Sequence, residues 1–273
     1  MTPEHPPERV FDGDLLQARL WLPDRPTTAL YVTFRQWVPD PGQFEDRGRV
    51  QRALTAGLAH LHIQSRWNDW FVNPETPALA ASLTATRARF LTARALGFSM
   101  GGYGALRFSK ALRLNQVLLV SPQVSLLLPE ENRYPEAADF DPTAGDLATH
   151  ARKDLTGVVA FDPFYRLDAL HARQIMTLLP GVAPAKMPIG GPPRTAALGH
   201  VGGFRALQRL SLSSRLRAIE VVALHRKLRA GSMRYWRERA EYLLRHDRLA
   251  PAAVALDRAE TLDSRDDCGQ PDA

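Results

Sequence analysis

Short apolar runs that alternate with helix-forming stretches constrain this chain more than any other feature of it. Residues 15–22 and 29–34 read as the first strands, 47–58 as a helix and 59–64 as the next strand. Residues 78–91 have helical preferences and no internal breaker; 94–98 form an apolar strand, 102–114 a helix and 116–120 a buried strand. Residues 157–161, 165–179 and 183–189 continue as strand, helix and last strand, until Gly190-Gly191-Pro192-Pro193 breaks the chain. Parallel strands need a long crossover, usually a helix, so the rhythm predicts an α/β fold built on a mostly parallel sheet.

Two segments depart from it. Residues 121–156, rich in Pro, Glu, Asp and Ala, leave the sheet as an insert, either a lid or a long surface connection. From Phe204 the pattern is all-helical to residue 264, before a polar tail over 265–273. Residues 233–245 and 250–262 are amphipathic and are joined by His246-Asp247-Arg248-Leu249. Trp236, Ala240, Leu243, Ala252, Leu256 and Ala259 fall at the packing positions of a tetratricopeptide-type hairpin, which this pair resembles. Arg239 stands where that repeat usually has leucine, and Ser264 where it often has proline. One repeat cannot make a solenoid, so the hairpin must lean on another surface. Trp236, Leu243 and Leu256 are expected in one buried cluster, and the pair is a candidate surface for a protein partner.

Charge and cysteine content narrow the function classes. The net charge is +6, and residues 205–267 hold 14 Lys+Arg against 9 Asp+Glu, so the excess sits near the C-terminus. No basic stripe with interleaved aromatics accompanies it, which argues against nucleic acid as a partner. Cys268 is the only cysteine, so no internal disulfide forms. The opening residues lack a basic start and an apolar run, and no uncharged apolar stretch has membrane-spanning length. The expectation is a cytoplasmic protein without a membrane span. His60 and His62 share a sheet face at period two, but no third ligand has suggestive spacing, so a hydrogen-bonded buried pair is expected rather than a metal site.

The chemistry concentrates at Gly97-Phe98-Ser99-Met100-Gly101-Gly102-Tyr103-Gly104, which follows a strand and opens a helix. A serine in so sharp a turn leaves no room for side chains two residues to either side, and glycines 97 and 101 remove that collision. Ser99 Oγ is then presented above the sheet as a nucleophile. The helix N-terminus aims free N–H groups at developing negative charge. Met100 N–H is one expected oxyanion donor; Arg35 or Gln36, on the loop after Phe34, is the source of the other.

Residues 97–106 resemble the elbow of small bacterial α/β hydrolases and esterases, glycan deacylase-like members included, with a looser likeness over residues 29–203. The resemblance implies an α/β-hydrolase domain over 1–203, with acyl-ester chemistry by a Ser-Asp-His triad in that chain order and no cofactor. Asp162 directly follows the strand Val158-Val159-Ala160-Phe161 and is the candidate acid; its other reading is a cap for the next helix, and Asp168 is the fallback. After Asp162 the histidines are His171, His200, His225 and His246, and only His200 lies in the loop after the last strand. Related hydrolases would carry histidine at about Pro192, so either His200 reaches back or the general base is absent. Arg66, Trp67, Asn68 and Trp70, after another strand end, suit a sugar or polar acyl substrate, or else anchor their own loop. Two function classes therefore stand: a serine hydrolase of the carboxylic-ester type acting on a small-molecule or glycan acyl ester, and a catalytically degenerate hydrolase fold used as a binding or scaffold module.

Overall fold

The computed structural model describes residues 6–46, 48–189 and 201–267. Its strands are β1 (Glu8–Asp12), β2 (Leu16–Trp21), β3 (Ala29–Phe34), β4 (Ala59–Ser65), β5 (Thr92–Phe98), β6 (Gln116–Val120), β7 (Thr156–Phe161) and β8 (Val182–Lys186). They form one sheet in the order β1-β2-β4-β3-β5-β6-β7-β8. The pairs from β4 through β8 are parallel, while β2 runs antiparallel to both β1 and β4. Burial explains the difference. Every residue of β4 is buried, as a strand covered on both faces requires, whereas β2 alternates buried Leu16, Ala18 and Leu20 with half-buried neighbours. β1 escapes sequence analysis because it has no apolar alternation; its Glu8, Arg9 and Asp12 are exposed, a charged edge that discourages further pairing.

The helices are α1 (Gln51–Thr55), α2 (Thr76–Arg87), α3 (Met100–Arg107), α4 (Leu147–His150), α5 (Arg166–Leu178), α6 (Gly203–Ser211), α7 (Ala218–Arg229), α8 (Met233–Leu244) and α9 (Leu249–Asp267). On one sheet face, Val32, Leu61, Ile63 and Val117 pack against Leu79 and Leu83 of α2, Leu106 of α3 and Ile175 of α5. On the other, Tyr31, Leu96, Leu118 and Val158 lie under Ala53 of α1, Leu207 of α6 and Val221 of α7. Each such apolar side chain contributes about 1.5–3 kcal/mol by leaving water. The first helix is shorter than the expected 47–58. Val50 N–H donates to His60 Nδ1 at 3.2 Å, and Gly48 packs on the His62 ring, so this stretch crosses β4 before α1 begins.

Residues 121–156 contain a 3₁₀ turn (Pro135–Asp139) and α4, and are tied down at several points. Leu126, Phe140, Leu147 and Leu155 enter the core, and Tyr103 Oη donates to Gly145 O at 2.6 Å. Trp37 Nε1 donates to Glu136 at 3.1 Å, and Tyr134 packs edge-on to Trp70 at 4.7 Å between centroids. The segment thus bridges the loops that leave β3 and β4.

Helices α8 and α9 pair as a hairpin whose seam is made of small residues: Ala240 against Ala252, Ala255 and Ala259, all buried. This corrects the expected cluster. Leu256 is 42% exposed, and Trp236 and Leu243 are only half-buried. Alanines spaced three and four apart bring the helices too close for large side chains between them, which are displaced to the flanks. The hairpin leans on the body through Tyr235, which meets the ring of His225 on α7, and through Tyr242, whose ring lies 4.7 Å from that of Phe164.

Candidate active site

Ser99 sits between β5 and α3, at the C-terminal edge of the sheet, with φ +48° and ψ −123°. A left-handed conformation is costly for a residue with a Cβ. It is held by Ser99 N–H donating to Val120 O at 2.9 Å, and by Gly102 and Tyr103 N–H donating to Ser99 O at 2.8 and 3.2 Å. The glycines around it are sterically required. A Cβ on Gly97 would lie 2.6 Å from Gly102 Cα, and one on Gly101 would lie 2.9 Å from Phe34 O. Of the seven non-glycine residues with positive φ among those described, Trp70, Phe71, Ser99 and Ser121 cluster here, on the segments that leave β4, β5 and β6.

Met100 opens α3, where a helix leaves its first N–H groups without internal partners. Arg35 is otherwise occupied. Its N–H donates to Ile63 O at 2.9 Å, and its buried guanidinium donates to Gln43 O and Ser65 O. Gln36, next in the chain, is exposed, and borders a groove of about 320 Å³ with Phe34, Phe98, Phe204 and Gln208.

Asp162 directly follows β7 and is buried; its Oδ1 accepts from Phe164 N at 2.9 Å. Asp168 lies in the first turn of α5 and faces Arg133, 3.7 Å away. His200 and Pro192 lie outside the described residues. His171 is buried on α5; its Nδ1 accepts from Val124 N–H at 3.1 Å, so its Nε2 donates to Glu131, 2.8 Å away. His225 is buried between α7 and α8, and His246 bonds Tyr242 O. His60 and His62 both bond Thr33 Oγ1 at 2.8 Å. Burial holds the pKa of His60 well below the usual range, helped by the charge of His62, and that of His62 down to about 4, helped by Arg35. Among the described residues, no imidazole bonds Ser99.

The four residues after β4 separate into two pairs. Trp67 is exposed, and the half-buried Arg66 lays its guanidinium 5.3 Å from the centroid of the Phe44 ring. Asn68 is buried and clasps Val38 with both ends of its amide, and Trp70 is wholly buried. Asn68 and Trp70 are thus anchors of the loop, the second of the two readings of this segment. The strained turn at Trp70 and Phe71 is tied by Asp69, which accepts from Ser65 Oγ, Phe71 N and Asn73 Nδ2. Burial raises the Asp69 pKa against these bonds.

The partner of Ser99 is a residue that sequence analysis missed. Ser99 Oγ lies 3.3 Å from Gln123 Oε1, which also accepts from Trp70 Nε1 at 3.4 Å. The sequence alone marks it only as a residue soon after a strand end; the structure sets that end beside β5, at the same sheet edge.

No family model matches the chain, and no curated protein matches it. Two solved structures of the capsule O-acetyltransferase of Neisseria meningitidis serogroup A are similar to it. One, with caged gadolinium, has a TM-score of 0.54 at 12% identity, over 72% of this chain and 93% of that one. The other, a histidine-to-alanine variant in complex with CoA, has a TM-score of 0.55 at 11% identity, over 76% and 95%. Est1E from Butyrivibrio proteoclasticus matches at 12% identity with a TM-score of 0.49, over 76% and 98%. The fold is the α/β-hydrolase fold. In an α/β-hydrolase fold the strand ends that carry Ser99, Gln123 and Asp162 lie side by side, because β5, β6 and β7 are neighbours. No helix among the described residues is long and apolar enough to cross a membrane.

Proposed function

We propose that this chain is a serine enzyme of acyl-ester chemistry, with Ser99 as nucleophile. The observation that carries the reading is the strained, glycine-cleared turn that lifts Ser99 between a central parallel strand and an open helix N-terminus. Ser99 Oγ attacks the acyl carbon; the N–H groups of Met100 and Gln36 stabilise the oxyanion, Gln36 being favoured because the Arg35 N–H is already used. The proton passes to an imidazole and then to the leaving oxygen, with a carboxylate orienting the ring. Asp162 is the proposed carboxylate, from its place after β7. His200 is the proposed base, because it follows the acid in chain order and lies in the sequence after the last strand, while His171 and His246, which also follow the acid, bond Val124, Glu131 and Tyr242. Arg66 and Trp67 remain as residues that can meet a polar acyl substrate. Hydrolysis and transfer differ only in whether water or another hydroxyl takes the acyl group, and the O-acetyltransferase named among the structural neighbours makes acyl transfer to a glycan worth testing beside hydrolysis.

A fluorophosphonate probe tests the reading: its phosphorus bonds Ser99 Oγ as fluoride leaves. Covalent labelling of the wild type, absent in Ser99→Ala, is the expected result. A panel of short and long p-nitrophenyl esters, and acetyl-CoA with glycan acceptors, then separates hydrolysis from transfer. One observation favours the second reading, a binding module on a degenerate site: among the described residues, the Ser99 hydroxyl bonds a carboxamide and no imidazole. An unlabelled, well-folded wild type would decide for it.

A further inference from the structure

Gln123 is 1% exposed, and each end of its amide meets a group with only one hydrogen-bonding role. Its Nε2 donates to Ser121 O at 3.1 Å, and a carbonyl can only accept. Its Oε1 accepts from Trp70 Nε1 at 3.4 Å, and an indole N–H can only donate. Rotating the amide by half a turn would oppose donor to donor at Trp70 and acceptor to acceptor at Ser121. The orientation is therefore set by its two fixed neighbours, and Ser99 Oγ, 3.3 Å from the same Oε1, must act as donor.

Both neighbours are held rigidly. Trp70 is fully buried at φ +51°, in the turn that Asp69 ties, with Tyr134 against its ring. Ser121 has φ +46°, and its N–H donates to Ala160 O at 2.8 Å. An amide oxygen is too weak a base to take up a serine proton, so this bond does no proton transfer. It selects one side-chain rotamer of Ser99; a hydroxyl has a single hydrogen, so the O–H turns from Gln123 to the base, about the Cβ–Oγ bond and without leaving that rotamer, before the proton passes on.

We infer that Gln123, clamped between Trp70 and Ser121, is a positioning residue that fixes the side-chain rotamer of Ser99. The inference rests on the serine-enzyme reading and acts through Ser99 alone. Misplacing a reacting group by an ångström costs about 100-fold in rate. Gln123→Ala is therefore expected to slow fluorophosphonate labelling about 10- to 100-fold, with the KM for an ester substrate nearly unchanged, because Gln123 is buried away from solvent. Trp70→Phe, which keeps an aromatic ring but removes the N–H that sets the amide, is expected to slow labelling less. Gln123→Glu keeps an acceptor and adds a titrating group. Its labelling is expected to recover in part and to gain a pH inflection above the ordinary carboxylate range, since burial disfavours the anion.

The experiment measures the second-order labelling rate against pH, and kcat and KM for a p-nitrophenyl ester, for wild type and the three variants, well below each thermal midpoint. Slower labelling in Gln123→Ala, with the new inflection in Gln123→Glu, supports the inference. Wild-type labelling in Gln123→Ala would overturn it and leave the serine reading intact. So would a matching rise in KM with no new inflection in Gln123→Glu, the mark of a purely structural role. An unlabelled wild type would overturn both.

Discussion

Replacing Gly97 by alanine isolates the steric argument for the turn from its chemistry. The added Cβ would lie 2.6 Å from Gly102 Cα and 2.7 Å from Gly101 C, against about 3.5–4.0 Å for comfortable carbon contacts. Both atoms are backbone, so no rotamer change relieves the overlap, and α3 would have to move by about an ångström. It has little room. A Cβ on Gly101 would already lie 2.9 Å from Phe34 O, and one on Gly102 would lie 2.8 Å from Pro122 Cβ. Overpacking a rigid site costs about 1–3 kcal/mol, and overlap with the unyielding Gly101–Gly102 peptide places Gly97→Ala at the top of that range. For a chain of this size that is a fall in Tm of about 6–12 °C. Gly231→Ala is the control, because its nearest atom, Leu228 O, is 3.8 Å away; its midpoint should stay or rise slightly. Thermal melts by circular dichroism, with urea unfolding alongside, measure both. An unchanged midpoint in Gly97→Ala would refute the wedge, and equal losses in both variants would show that the effect is not specific to the turn.

Three further outcomes are expected. Ser99→Ala, Asp162→Asn and His200→Ala should each lower kcat by about 10³-fold or more with little change in KM; an active His200→Ala would remove that residue from the mechanism. Burial, with the nearby charge of Arg229, holds the His225 pKa down to about 4 in the folded chain, so unfolding takes up a proton between that value and about 6.5. His225 therefore costs nothing above about pH 6.5 and up to about 3 kcal/mol as the pH falls toward 4; unfolding of His225→Phe, followed from pH 7 to 4, should lack that loss. For Glu131, burial raises the pKa, but bonds from Arg133 and His171 and the Arg133 charge outweigh it and bring it to about 2. Its contribution is present above about pH 4.5 and disappears as the pH falls toward 2, so Glu131→Gln should be less stable at pH 7 and converge on the wild type in acid, and a constant difference between the two curves would refute the linkage.

The parallel part of the sheet was legible because burial on both faces leaves a mark in each strand separately. Residues 116–120 and 157–161 are apolar at nearly every position, and no other element tolerates that beside glycine and proline breaks. β1 was not legible, since an exposed edge strand is made by its neighbour's hydrogen bonds rather than by its own side chains. The hairpin was legible as two helices and in its small packing residues, since Ala240, Ala252 and Ala259 are buried, but not in where its large side chains go. The same alanine spacing that signals close approach also decides that Leu256 has no place in the seam.

The site divides along the same line, and the division is physical. Ser99 could be found from five consecutive residues, because the collision that glycines 97 and 101 avoid is local. The bond that Gln123 makes with Trp70 and Ser99 could not, because it exists only where the exits of β4, β5 and β6 converge, and that convergence comes from the strand order. Each left-handed residue among Trp70, Phe71, Ser99 and Ser121 costs on the order of 1–3 kcal/mol. No isolated loop would hold such conformations. They persist because Asp69 ties one turn, Val120 O and Ala160 O receive the N–H groups of Ser99 and Ser121, and Gln123 joins the side chains of Trp70 and Ser99. A chain that only had to connect strands would relax these turns by placing glycine at them. Keeping tryptophan and phenylalanine there makes sense where the side chains themselves are needed, Phe71 against Phe34 and Phe108 and Trp70 on the carboxamide that also meets the Ser99 hydroxyl.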